Sequence, residues 1–377
     1  MQAGLLKSFQ SGIRARGLGA WILSGLLFVF YLLFYFAPYS HSSIQLLGWA
    51  HPDRLAHGLG LASRWNLYGL LYTIAVVVGG LYFLAVHGNS RYQRIRTISL
   101  MVVQSVLAFS IPMVMEAFGS KGFLFSLFWP LKINYFYPQY IMEYPVLIIL
   151  YAFLSFLIVV PIMTVLFGKR WYCSWVCGCG GLAETAGDPF RHLSNKSSRA
   201  GRFEKISIHS VMFFAFVATA LVLVNWATHH TDTSGQWVTD HTTLDLIASK
   251  VQGVYQFLVV AMLSGVLGVG LYPLMGSRVW CRFFCPLAAI LGLIQKFGRF
   301  RITVKDDMCI SCGNCSTYCE MGIDVRAYAQ SNKSFTRAAC VGCGMCAHVC
   351  PRGVLLLENK WDIHPSPDMK QRQVVDF

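Results

Sequence analysis

Apolar residues gather into six long stretches with few charges, near residues 19 to 38, 66 to 86, 97 to 117, 145 to 168, 206 to 226 and 252 to 275. Each is close to the roughly twenty residues an α-helix needs to cross a bilayer core. The pattern therefore predicts six transmembrane helices, with a further apolar stretch at 122 to 130 too short to count. The first stretch runs past the usual length of a signal core and lacks a clean small-residue cleavage site, so it is expected to be an anchor. Beyond residue 300 the long apolar stretches cease.

Composition strengthens this reading. With 55% hydrophobic and 13% charged residues and a mean hydropathy of +0.51, a soluble domain is excluded, because so much apolar surface would have nowhere to hide. Basic residues then set the orientation, since positive loops are retained on the cytoplasmic side. Lys7, Arg14 and Arg16 precede the first span, Arg91, Arg94 and Arg96 follow the second, and Lys169, Arg170, Arg191, Lys196, Arg199, Arg202 and Lys205 follow the fourth. The intervening loops hold fewer: Arg54 and Arg64, Lys121 and Lys132, then Lys250. The expectation is a multi-pass protein of the inner (cytoplasmic) membrane, both termini and the region after 300 cytoplasmic. The net charge of +14 follows largely from this bias. Its charges flank membrane spans and form no aromatic-interleaved groove, which argues against nucleic acid as a partner.

Cysteine carries the chemistry. Eight of the thirteen fall in two runs, Cys309-x2-Cys312-x2-Cys315-x3-Cys319 and Cys340-x2-Cys343-x2-Cys346-x3-Cys350-Pro351, the ligand spacing of a bacterial ferredoxin with two 4Fe-4S clusters. Three thiolates on a tight turn reach one cubane and the fourth, leading away, reaches the other. The expected ligand sets are Cys309, Cys312, Cys315 and Cys350 for one cluster, and Cys340, Cys343, Cys346 and Cys319 for the second. Zinc ribbons also use paired C-x2-C, but a structural zinc closes with four ligands and has no use for two runs of four. Glu320 stands where the first run would usually carry proline, and removes no ligand.

Four of the remaining cysteines lie in a repeat. Gly168-Lys-Arg170-Trp-Tyr-Cys173-Ser-Trp-Val-Cys177 matches Gly276-Ser-Arg278-Val-Trp-Cys281-Arg-Phe-Phe-Cys285 in register. Each closes a span running toward the cytoplasm, so a parallel repeat brings both Cys-x3-Cys pairs to one membrane face. Three readings stay open for Cys173, Cys177, Cys281 and Cys285: inert buried thiols, a further metal or iron-sulfur centre, or a thiol/disulfide redox pair. Arg170 and Arg278, three residues before each leading cysteine, would lower thiolate pKa values, or serve only as topology anchors. Pro286 suits the first turn of a helix over Leu287 to Lys296. In the first copy Gly178 replaces proline, and Cys179 is an unmatched thirteenth cysteine.

At these residues the chain resembles the membrane-bound polyferredoxins that include the NosR-like, NapH-like and CcoG-like proteins. The match spans roughly residues 145 to 358, on Trp171-Tyr-Cys173-Ser-Trp-Val-Cys177, on Trp280-Cys281-Arg-Phe-Phe-Cys285-Pro286-Leu287 and on the tandem runs that follow. The resemblance implies electron passage between a quinol pool or membrane partner and cytoplasmic clusters, serving a respiratory reductase or the maturation of a metalloenzyme. No large flavin domain precedes the first span and little chain follows the clusters, which argues against a full-length NosR-like or CcoG-like protein.

Other candidates are weaker. His41, His51, His57, His229, His230 and His241 fall in extracytoplasmic loops beside Asp53, Asp232, Asp240 and Asp245, where they could take protons or bind copper, although solvated loop residues are the simpler reading. His209 in the fifth span is a haem-ligand or proton-relay candidate without an evident second histidine. Glu116 and Glu143 flank the aromatic stretch Phe123 to Tyr144, either a re-entrant segment beside a quinone pocket or, preferred, an aromatic belt at the lipid headgroups. No phosphate loop, dinucleotide fingerprint or nucleophile elbow is present.

The expected architecture is an all-α polytopic bundle over 1-299, an α+β two-cluster ferredoxin domain over 300-358, and a tail over 359-377 that is disordered or docks a partner. The expected function is single-electron relay between a membrane donor or acceptor (quinol or a partner subunit) and the cytoplasmic clusters, within a respiratory complex. The alternative is a reductase delivering electrons to copper, a thiol or a metal centre during metalloenzyme assembly.

Overall fold

A computed structural model describes residues 17–36, 51–228 and 243–360, together with the backbone of 373–376. Six helices are long and apolar enough to cross a membrane: α1 (Gly17–Phe36), α2 (Arg64–His87), α3 (Arg91–Ala117), α4 (Val146–Phe167), α5 (Ser198–Thr228) and α6 (Thr243–Gly270). These are the six spans the apolar pattern predicts. Large side chains such as Leu81, Leu147, Leu157 and Phe213 stand exposed on their outer faces, a surface suited to lipid. Pro112 in α3 and Pro161 in α4 each remove a backbone donor. Just before each, the chain widens into a π-turn, Gln104–Ser110 and Ser155–Val159, so that the N–H of Ile111 reaches the carbonyl of Val106 and that of Val160 reaches Ser155. The helices thus pass their prolines without breaking.

The two repeat copies leave the membrane helices in the same way. α4 and the segment after α6 both end on a glycine with positive φ, Gly168 at 70° and Gly276 at 98°. A Cβ on Gly168 would come within 2.6 Å of Phe300, and one on Gly276 within 2.5 Å of Ser194. Both positions therefore need glycine for conformation and for space. After each second cysteine a helix starts: Gly178–Glu184 capped by Cys177, and α7 (Pro286–Gln295) capped by Cys285, with similar extended cap residues. Gly178 in place of proline leaves this geometry intact. It also makes room, since a Cβ there would lie 2.9 Å from the Tyr72 hydroxyl.

The ferredoxin region adds a four-stranded sheet in the order β3-β1-β2-β4. Its strands are β1 (Phe300–Val304), β2 (Ser334–Arg337), β3 (Leu355–Asn359) and β4 (Gln373–Asp376). β1 pairs antiparallel with β3, from Phe300 opposite Asn359 to Val304 opposite Leu355, and antiparallel with β2, while β4 runs parallel to β2. The stretch read from sequence as a tail thus supplies the fourth strand. One apolar core joins the two units, running from Tyr172, Trp280 and Leu287 through Phe300 and Ile302 to Phe335 and Val341.

The segment between α3 and α4 corrects the preference for a headgroup belt. Phe123, Trp129, Ile133, Tyr135, Tyr137 and Tyr144 are each at most 5% exposed. Trp129 Nε1 donates to Thr219 Oγ1 (3.0 Å), the Tyr255 hydroxyl donates to the Pro130 carbonyl (3.2 Å), and the Tyr172 hydroxyl donates to the Ser126 carbonyl (2.9 Å). The segment folds into the bundle, where Trp129 and two of the segment's backbone carbonyls take hydrogen bonds with residues of the bundle. Glu116 and Glu143 stay outside, on Asn66 and Lys121.

Gly168→Ala is expected to cost about 2 kcal/mol or more, from positive φ and from overlap with Phe300. Gly201→Ala, at an α5 position with open space around it, should be neutral or slightly stabilising. Thermal unfolding in detergent checks both, and equal midpoints would refute the packing argument.

Candidate functional site

The two halves of the ferredoxin are built alike. Ser311 and Gly342 both have φ near 59°, and Gly313 (82°) and Gly344 (76°) then cap short helices, Asn314–Thr317 and Met345–His348, which carry Cys315 and Cys346. The left-handed residues turn the backbone tightly, so that successive cysteines face one hollow. Amide groups point at sulfur: Gly342 N–H to Cys340 Sγ, Ile323 N–H to Cys319 Sγ and Val354 N–H to Cys350 Sγ, each 3.4 Å.

Both predicted ligand sets come together in space. Cys309, Cys312, Cys315 and Cys350 ring one cavity, with Arg326 and Arg352 in its wall. In the other set, Cys340 and Cys346 are buried in one core, with Cys319 and Cys343 packed against it. The sulfurs, left-handed turns and N–H donors fit an iron-sulfur cluster in each hollow. Among the described residues no three His, Cys, Asp or Glu side chains converge on a point that would hold a single metal ion. A cubane spreads its thiolates over separate irons and does not need that convergence.

The halves differ in exposure. Cys312 is exposed and Cys309 half-buried, while Cys340 and Cys346 are buried. The second half presses on the membrane unit. The Tyr92 hydroxyl donates to the Gly342 carbonyl (2.7 Å), Gln93 Nε2 and Arg96 Nη1 donate to the Cys343 carbonyl (3.0 and 3.1 Å), and Lys169 Nζ donates to the Ala338 carbonyl (2.7 Å). We call this the inner quartet and the other the outer one.

Beneath the inner quartet lie Cys173, Cys177, Cys281 and Cys285, all free and at most 5% exposed. The charges of Cys173, Cys177 and Cys281 all act on Cys285, so the repeat does bring its two pairs together. Cys179 joins them: its thiol hydrogen-bonds Cys177, which spacing did not reveal because the second copy has no counterpart. An arginine reaches its leading cysteine in one copy only. Arg278 Nη1 lies 3.7 Å from Cys281 Sγ, but Arg170 stacks over Phe300 and Tyr92 and bonds the Phe167 carbonyl. Nor does the cation win, since burial pushes the Cys281 thiol up against the pull of Arg278.

Between the thiols and the inner quartet is a charge network that sequence reasoning missed. Arg96 pairs with Glu184 (2.7 Å), Arg278 with Glu184 and with Glu320 (3.0 Å), and Arg191 with Asp188 (2.9 Å) and Glu320 (3.2 Å). Ser174, next to Cys173, donates to Glu184 (3.0 Å) or to the Val341 carbonyl (2.8 Å). Burial raises the Glu184 carboxyl against Arg96 and Arg278, whereas for Glu320 burial is outweighed by Arg191 and Arg278, which hold it down at about 2. The available signal was Glu320 at a position where the second run holds Pro351.

The histidine candidates lie elsewhere. His51 is buried and accepts the Asp53 N–H at 3.3 Å at the start of helix Pro52–Gly58, so it is structural and not a solvated loop residue. His57 is exposed, and His209 bonds the Lys205 carbonyl (2.6 Å). His41, His229, His230 and His241 lie outside the described residues.

Comparison with known proteins agrees with both cysteine regions. Residues 302–356 match the 4Fe-4S dicluster domain family, and residues 149–197 and 258–305 each match a 4Fe-4S binding domain family. The chain is 28% identical over 172 residues to YccM of Escherichia coli, named for electron transport, across 45% of this chain and 46% of YccM. It is 25% identical over 161 residues to the methylamine utilization ferredoxin-type protein MauN of Methylobacillus flagellatus, across 41% and 49% of the two chains. The chain thus spans about half the length of these curated relatives. No solved structure matches it significantly.

Glu184→Ala would leave Arg96 and Arg278 short of a buried partner, and is expected to cost about 3 kcal/mol or more. Glu116→Ala, at an exposed contact, should stay within about 0.5 kcal/mol of wild type. Unfolding midpoints and protease release of the ferredoxin unit measure the difference; similar behaviour of the two variants would refute the network's role.

Proposed function

We propose that this chain, grouped by its 4Fe-4S domains with the membrane-type polyferredoxins, relays single electrons between a membrane-side donor or acceptor and a cytoplasmic partner, as one subunit of a respiratory assembly. The observation that carries this reading is the exposure gradient across the ferredoxin. One cysteine quartet is held on the membrane unit by Tyr92, Gln93, Arg96 and Lys169, and the other presents Cys312 to solvent. Clusters held there would each supply one-electron redox chemistry when bound. Cys340, Cys343, Cys346 and Cys319 would hold the inner one, and Cys309, Cys312, Cys315 and Cys350 the outer one. The outer set then offers the port to a soluble partner, and the inner set the port to the membrane.

In this reading Cys173, Cys177, Cys281 and Cys285 form a third redox centre, made of iron and sulfur. Its support is the match of both repeat copies to a 4Fe-4S binding family and the convergence of buried, unpaired sulfurs. Ile208, Ala288, Ala289, Gly292 and Leu293 form one wall of a small open cleft that reaches Cys281, with Lys169, Lys205, Glu204, Arg282 and Arg337 also in its lining. A quinol from the membrane pool would be the donor in this reading, delivering its electrons to the thiol site. The basic connections after α2 and α4, together with the ferredoxin they carry, face the cytoplasm of a cell whose inner membrane holds the bundle. The chain would then comprise a membrane unit over 1-299 and a ferredoxin unit from 300 onward.

Iron and labile-sulfide counting with EPR on anaerobically purified protein tests this. More than eight irons are expected, with the surplus beyond eight lost in Cys281→Ser and the outer cluster signal altered in Cys312→Ser. An iron-free protein would sink the reading, and a count of eight unchanged by Cys281→Ser would remove the third centre.

A further inference from the structure

Glu320 follows Cys319 directly, where the matching position after Cys350 holds Pro351. At 1% exposure its carboxylate requires partners, because an unpaired buried charge is very costly. It has two, Arg278 at 3.0 Å and Arg191 at 3.2 Å. Each of these arginines also holds a guanidinium nitrogen near a sulfur, and in Arg191 it is the same Nη1 that faces Glu320. Arg191 Nη1 lies 3.9 Å from Cys343 Sγ, and Arg278 Nη1 lies 3.7 Å from Cys281 Sγ. A sulfur of the inner quartet and a sulfur of the membrane site are therefore joined by one cation, one shared anion and a second cation.

Packing alone does not account for this placement. The pairs of Arg96 and Arg278 with Glu184 lie within the membrane unit, so the pairs of Glu320 also dock the ferredoxin, but docking does not require either arginine to hold a guanidinium nitrogen beside a cysteine sulfur as well. Positive charge and N–H donors near a ligand sulfur stabilise the more negative, reduced state and so raise its potential. A carboxylate between the two arginines weakens both effects by a set amount. Resting on the cluster reading above, we propose that Arg191, Glu320 and Arg278 form an electrostatic bridge that sets the potential of the inner centre relative to the membrane site and ties the two together. Glu320 and its arginines are positioning residues in this scheme, since they touch ligand sulfurs or one another and no substrate.

The experiment uses the full-length protein, purified anaerobically as wild type, Arg191→Gln, Glu320→Gln and Glu320→Asp, with iron content measured and each cluster titrated by EPR. The expected result is a lower inner-cluster potential in Arg191→Gln, a higher one in Glu320→Gln, a near wild-type value in Glu320→Asp, and an unmoved outer cluster throughout. Shifts of the same sign in the two Gln variants, or no shift with iron retained, would reduce the trio to a structural seat. Should Glu320→Gln fail to fold, Arg191→Lys against Arg191→Gln decides: retained charge should keep the potential near wild type, and equal potentials overturn the bridge. Wild-type protein without two cluster signals would instead refute the cluster reading on which this rests.

Discussion

Three arginines, Arg96, Arg191 and Arg278, each at most 2% exposed, meet Glu184 and Glu320 at the junction of the membrane bundle and the ferredoxin. Charges so far from water are tolerable only when every one is answered by a partner of opposite sign. That demand fixes more than the charges themselves. Arg96 belongs to α3, Glu184 to the helix after the first thiol pair, Arg191 to the following loop, Arg278 to the second pair and Glu320 to the ferredoxin. Satisfying them draws five distant stretches of chain to one point, and the position of the ferredoxin above the thiols is a result.

Local backbone chemistry then does the fine placement. Gly342 allows the inner turn to lie flat on the bundle, where a Cβ would come within 2.6 Å of Arg170. The equivalent outer position is Ser311, where the turn faces solvent and carries a side chain. The two halves keep the same cysteine spacing and differ at the residues that decide what each half touches. The asymmetry of the relay is written in those neighbours and not in the ligands.

Much of this was legible in the sequence because the signals were long or repeated. Runs of about twenty apolar residues have one main explanation, and two identical cysteine rhythms have few. The helix after Pro286 and the meeting of the two thiol pairs followed from the repeat. What escaped were features made by single residues whose partners lie far off in the chain. Glu320 looked like a harmless change at a turn, Cys179 like a spare, and the aromatics of 123 to 144 like a headgroup belt. In each case the chemistry was visible but the partner was not. Arg170 shows the converse, since its spacing from Cys173 suggested a role that Tyr92 and Phe300 take away by stacking on it.

The two copies of the motif meet the ferredoxin differently. On the Cys173 side, Ser174 is tucked under Val341, while on the Cys281 side the wall opens into the cleft beside α5 and α7. Repeated sequence thus yields a site with two unlike flanks, one sealed by a backbone contact and one left with a cleft.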